Sequence, residues 1–114
     1  MLNQGDIVLI PIPFTDLSLQ RRRPVIIISN DTYNRKTMDI VVVAMTSNPT
    51  VVDYSFTITS SDLEQGKLNG SGKVRMDKIY TLSQSIVVRT FGKVNSNVLH
   101  RIRNMLQDLT GEKT

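Results

Sequence analysis

Arg21, Arg22 and Arg23 stand in one run immediately before Pro24. Guanidiniums this close concentrate positive charge, and the planar fork of each matches phosphate oxygens bidentately. Pro24 stiffens the point at which the run enters the apolar stretch that follows. The same run also suits an ordinary solvated loop. Thr46 and Ser47 follow directly on the apolar run from Ile40 to Met45. Hydroxyls at a strand's end donate to a phosphate oxygen or close a turn on nearby backbone. The third group is Lys73-Val74-Arg75-Met76-Asp77-Lys78. Alternation on an extended strand puts Lys73, Arg75 and Asp77 on one face, with Val74 and Met76 on the other. A carboxylate beside cations suits proton movement at an anionic substrate, and equally a cross-strand salt bridge on a wet face.

Composition removes many other chemistries. The 114 residues contain no cysteine and one histidine, His100. Disulfide scaffolds, thiolate metal sites and thiol nucleophiles are excluded, as are multi-histidine centres and two-histidine acid–base pairs. His100 falls between the apolar positions of the last segment and is assigned no role. Tryptophan is absent and aromatics are 5% of the chain, too few for a broad base-stacking platform. Phe14, Tyr33, Tyr54 and Tyr80 are the stackers expected outside the core. The net charge is +4, and all of the surplus lies beyond residue 57. Such a surplus points to an anionic partner, nucleic acid or an acidic protein. No apolar run approaches the roughly 20 residues of a membrane span, and Met1 to Val8 lack a signal-peptide pattern. A cytoplasmic protein of one domain, residues 1–114, is the expectation.

The elements that must carry these groups are mostly strands. Asp6 to Phe14 is rich in β-branched residues and reads as a strand closed by Pro11 and Pro13. Thr15 to Arg23 reads as a loop, Val25 to Ser29 and Ile40 to Met45 as buried strands, and Tyr54 to Ile58 as a half-buried one. Ser61 to Glu64 fits a capping box and one helical turn halted by Gly66. Lys73–Met76 and Lys78–Leu82 read as two short strands or one bent strand, and Ile86–Phe91 as the last, with a bulge at Gly92. Val98, Leu99, Ile102, Met105, Leu106 and Leu109 then form one apolar helical stripe, capped by Ser96 or Asn97 and stopped at Gly111. The fold expected is mainly β, a small barrel or strongly bent sheet with a C-terminal amphipathic helix.

Taken in order, these segments resemble the MazF/PemK (Kid) family of toxins from type II toxin–antitoxin pairs. Gly5-Asp6-Ile7-Val8 and Pro13-Phe14-Thr15-Asp16 carry the resemblance first, then Arg22-Arg23-Pro24-Val25 and Thr46-Ser47. Val74 to Ile79, Thr81-Leu82 and Gly92-Lys93-Val94 continue it across nearly the whole chain. The resemblance implies an SH3-like small barrel of about seven short strands with a C-terminal helix. It also implies a homodimer, neutralisation by a cognate antitoxin with an acidic disordered segment, and a metal-independent mRNA interferase cutting single-stranded RNA sequence-specifically. It assigns catalysis to Arg23, Thr46, Arg75 and Asp77. Arg21, Arg22, Phe14, Ser47, Lys73 and Lys78 are the accompanying candidates for RNA binding. Some relatives carry a histidine in the first loop, and none lies between Asp6 and Pro24 here.

Residue chemistry fits metal-free cleavage, in which the ribose 2′-hydroxyl attacks its own phosphate. That step needs a proton acceptor, cations for the growing charge and a donor for the leaving 5′-oxygen. Asp77 is expected as the acceptor, Arg23 and Arg75 as charge stabilisers, and Thr46 as a donor to a non-bridging oxygen. No metal or cofactor is called for. Two other readings remain: a catalytically silent barrel that binds RNA or protein, and a gyrase poison like CcdB. The second sits badly with a chain that has no tryptophan near its Leu109–Thr114 end.

Overall fold

In the computed structural model, residues 1–11 and 22–113 are described. Phe14 and Arg21 lie outside them. Seven strands form one sheet: β1 (Asp6–Pro11), β2 (Arg22–Ile27), β3 (Asp39–Thr46), β4 (Ser55–Ile58), β5 (Leu63–Gly66), β6 (Gly72–Ser83) and β7 (Arg89–Val94). Their spatial order is β4-β6-β3-β2-β1-β7-β5, with every pairing antiparallel. The sheet curls into a half-barrel, and α2 (Ser96–Thr110) packs at its end. A short helix α1 (Asp31–Lys36) joins β2 to β3.

Period-2 alternation divides the central strands between two cores. Ile7, Ile26, Val43, Met45, Val74 and Met76 point into the concave side with Val98 and Ile102 of α2, all of them buried. The intervening Val8, Val25, Ile27, Ile40 and Val42 form a second buried cluster on the opposite face. A sheet apolar on both faces explains why β2 and β3 read as unbroken hydrophobic runs. Burying one such side chain is worth roughly 1.5–3 kcal/mol, so these faces dominate the stability of the strands.

Several element boundaries differ from the sequence expectation. Arg22 and Arg23 belong to β2, not to a loop, because β1 extends opposite them and pairs Pro11 with Arg22 and Ile10 with Arg23. The helix α1 is unanticipated: Asn30 caps it by accepting from the Tyr33 amide at 2.8 Å, and six residues are too few to show a helical period. The expected cap at Ser61 is displaced to Thr59, whose amide donates to the Asp62 carboxylate at 2.8 Å. The chain from Leu63 then continues as β5 rather than as helix. Helix α2 is capped one residue before the expected positions, by Asn95 accepting from Val98 N–H at 3.0 Å, and ends at Gly111 as expected.

Lys73–Leu82 is one strand with a break in register. Val43 pairs with Ile79 and the next residue, Ala44, with Arg75, so Met76, Asp77 and Lys78 bulge out of the β3 ladder. Ile86, expected to open the last strand, instead ends a 3₁₀ turn that begins at Gln84. The Gln84 side-chain amide fixes it by donating to the carbonyls of Asn34, Thr37 and Asp39. The bulge expected near Gly92 is present, since Ile7 pairs with Gly92 but Val8 pairs with Thr90. At that point β5 and β7 come very close. Gly66 has φ +87°, and a Cβ there would sit 2.4 Å from the Phe91 carbonyl oxygen, so no other residue fits without moving backbone.

Candidate functional site

Register decides where the chemical groups meet. Val25 pairs with Ala44, so Arg23 and Thr46, each two residues further on, reach the same end of the β2–β3 ladder. Arg75 pairs with Ala44, and Lys73 with Thr46, on the other side of β3. Arg23 continues the face of Val25 and Ile27, and Thr46 that of Val42 and Ala44. The second apolar face therefore turns polar where these strand ends emerge.

A cleft of about 310 Å³ opens there, walled by Arg23, Thr46, Asn48, Thr50, Arg75 and Lys78 among others. Three cationic side chains and two threonine hydroxyls thus share one concavity of small-ligand size. Thr46 Oγ1 accepts from the Asn48 amide at 3.1 Å. That bond turns the chain into the following loop and leaves the hydroxyl hydrogen to donate elsewhere.

Asp77 is held at the edge of this arrangement rather than in its wall. Its two oxygens take the Arg75 fork, Nε to Oδ1 at 2.8 Å and a terminal nitrogen to Oδ2 at 2.6 Å. That hydrogen bond is the main reason its carboxyl lies below the ordinary carboxylate range. Burial opposes it, and the positive charges of Arg75 and Lys78 add to it. Reciprocally, the same bond raises Arg75 above its already high value.

The remaining binding candidates divide. Ser47 and Lys73 line a second concavity of about 140 Å³ with Thr46, Asn48, Thr57 and Ser71. The Lys73 ammonium also donates to the carbonyls of Pro49 and Thr50, fastening the loop after β3 to β6. Arg22 is exposed on β2 and does not line the cleft that holds Arg23. Of the expected stackers, Tyr80 is exposed on β6, whereas Tyr54 packs against the core. The loop residues Asn48 and Thr50 were missed by the sequence reading. Only the Asn48-Pro49 turn signal next to Thr46 pointed toward them.

A third concavity, about 420 Å³, lies across the strand ends from the first. It is lined by Leu9, Pro24, Met45, Leu68 and Phe91, with Lys67, Asn69, Ser71 and Arg89 among its polar groups, and it shares Met45 and Thr46 with the cationic cleft. Among the described residues no group of three or more acidic, histidine or cysteine side chains is arranged to hold a metal. No helix among them is long and apolar enough to cross a membrane.

Residues 3–110 match the family model described as PemK-like, MazF-like toxin of type II toxin–antitoxin system. Among solved structures, a mycobacterial endoribonuclease in complex with its cognate antitoxin is 23% identical with a TM-score of 0.79, over 100% of this chain and 99% of that one. The MazE–MazF complex of Deinococcus radiodurans (Form III) is 20% identical with a TM-score of 0.76, over 98% of both. A second mycobacterial endoribonuclease is 25% identical with a TM-score of 0.72, over 94% of this chain and 88% of that one. No curated protein sequence matches the chain.

Proposed function

The chain belongs to the PemK-like, MazF-like toxins of type II toxin–antitoxin systems, and from that premise we propose that it is an endoribonuclease cutting single-stranded RNA at specific sequences without a metal ion. The observation that carries this reading is the convergence of Arg23, Arg75, Lys78 and Thr46 on one cleft. A phosphate seated there meets the Arg23 guanidinium, the Arg75 N–H groups that Asp77 does not engage, and a hydroxyl donor, the groups that stabilise charge growing on phosphorus.

The reaction follows from RNA's own nucleophile. The 2′-oxygen bonds to phosphorus, the bond from phosphorus to the 5′-oxygen breaks, and the products are a 2′,3′-cyclic phosphate and a 5′-hydroxyl. Arg23 and Arg75 hold the non-bridging oxygens, and Thr46 donates to one of them. Asp77 acts chiefly by fixing the direction of Arg75. Asp77 lies outside the cleft wall with both oxygens engaged by Arg75, so the 2′ proton leaves through water at the cleft mouth. The leaving 5′-oxygen needs a proton, and arginine, which keeps its proton far above neutral pH, does not supply one. Lys78 is the group in the cleft wall with a transferable proton, and it takes the acid role.

Family membership supports a cognate antitoxin and a homodimer as partners. The exposed Ile79 and Tyr80 of β6 are apolar groups that a second copy would cover, which sedimentation of the pure protein tests. The function itself is tested by incubating the protein with a long unstructured RNA, and with the same sequence as DNA, in EDTA. RNA should be cut to cyclic phosphate ends and DNA left intact. Comparable cutting of DNA, or a strict need for magnesium, rejects the reading.

A further inference from the structure

The cationic cleft accounts for a phosphate and leaves the larger concavity beside it without an occupant. We propose that this 420 Å³ concavity is a subsite for one unpaired nucleobase adjoining the phosphate that lies in the cationic cleft; the assignment rests on the endoribonuclease reading. Three features of the site argue for a base. Its floor is apolar and includes an aromatic ring, from Leu9, Pro24, Met45, Leu68 and Phe91, and a base's π-face gains most from such a surface. Its polar groups, Asn69, Ser71 and Ser47, offer both donors and acceptors to the edge of a base, as sequence-specific readers of single strands do. Lys67 and Arg89 add positive charge, which suits a ligand whose backbone continues as phosphate.

Continuity decides between a base and an unrelated small molecule. Met45 and Thr46 line both concavities, yet their side chains point to opposite faces of β3: Met45 lies in the concave core, and Thr46 follows Val42 and Ala44 on the other face. The two concavities therefore meet across a rim made by the end of β3. A strand with a phosphate on one side and its neighbouring base on the other must splay that base over the rim. Single-stranded RNA does so readily. A duplex, whose bases are stacked and paired, does not.

Gly66 pairs with Gly92 and lies against the Phe91 carbonyl, so the backbone that carries the Phe91 ring is held by β5. Asn69 lies in the exposed segment between β5 and β6, where substitution leaves the core untouched.

The test compares cleavage of a randomised RNA pool by the unaltered protein, Asn69→Ala and Phe91→Leu, with sequences read around each cut. The preference at one position next to the cut should collapse by about tenfold in both variants while the other positions keep theirs. An abasic residue at that position should slow the unaltered protein about tenfold and the variants hardly at all. Identical profiles from all three proteins overturn the subsite while leaving the ribonuclease reading intact. Identical profiles with weakened antitoxin binding by the variants give the concavity to a peptide, and overturn it equally. If the unaltered protein cuts no RNA, the function reading falls and the subsite falls with it.

Discussion

Arg75 and Asp77 stand two residues apart on one strand and join through two guanidinium nitrogens and both carboxylate oxygens at 2.6–2.8 Å. Two residues of extended chain span about 6.5 Å, and the bulge at Met76 to Lys78 breaks the ladder just where Asp77 must turn toward Arg75. The pair is partly exposed, with side-chain accessibilities of 20% and 32%, so its worth lies in direction more than in stability. A guanidinium held in one orientation loses less freedom when a phosphate arrives.

Asp77→Asn should therefore lower kcat by roughly ten- to a hundredfold with little change in KM. Because Arg75 keeps the Asp77 carboxyl below its usual range, the group is ionised throughout the neutral region. The pH–rate profiles of the variant and the unaltered protein should then run parallel. Loss of an acid limb in the variant would show that Asp77 is the proton acceptor. For stability the sign is equally definite. A depressed carboxyl contributes above its unfolded value of about 3.9 and loses that contribution as pH falls through the lower folded value. The difference in Tm between the unaltered protein and Asp77→Asn should shrink between pH 6 and pH 3.

Arg23 and Thr46 differ in charge, and their variants should differ in cost. Arg23→Ala should slow cleavage about a hundredfold, the range for losing a preorganised charge-stabilising donor. Thr46→Ala should lose less, and Thr46→Ser should recover most of it by restoring both the donor and the acceptor for the Asn48 amide. Cleavage of a fixed RNA under single-turnover conditions measures each. Near-normal cleavage by folded Arg23→Ala would remove Arg23 from the machinery.

Lys78 as the acid has its own signature. Replacing the leaving 5′-oxygen by sulfur removes the need for a proton, since a thiolate leaves unaided. Lys78→Gln should cut ordinary RNA at least tenfold more slowly, in the range of a general acid's contribution, yet cut the 5′-thio substrate at the unaltered rate. An equal deficit on both substrates would leave Lys78 only an electrostatic role.

The order of chemical groups was legible in the sequence because it follows alternation. Val74 and Met76 are fully buried, as their spacing required, and Lys73, Arg75, Ala44 and Thr46 follow from the same rule. The helical stripe from Val98 gave α2 for the same reason. What the sequence hid depends on partners distant in the chain. Leu63 to Gly66 has no β-branched residue and becomes a strand because Gly66 alone fits against Gly92. The position of β7 between β1 and β5 leaves no local trace. Asp77 was legible as a carboxylate beside cations; that it faces Arg75 and not the cleft depends on a bulge set by β3.

The antitoxin prediction follows from charge and from an open strand edge. Relatives of this fold occur in complexes with antitoxins, and the cleft here gathers Arg23, Arg75 and Lys78 where carboxylates would replace phosphates. Among the described residues β4 and β5 end the sheet, and an extended peptide can add main-chain hydrogen bonds at such an edge. A disordered acidic segment pays ordering entropy on binding, so tight affinity requires it to wrap a large surface. Opposite charges steer the encounter, and the association rate should fall as salt rises. Competition tests the occupancy: the antitoxin should displace an RNA carrying 2′-deoxyribose at the cut site, and Arg23→Ala should weaken both ligands. If RNA and antitoxin bind together with undiminished affinity, the acidic segment lies elsewhere and inhibition does not work by filling the cleft.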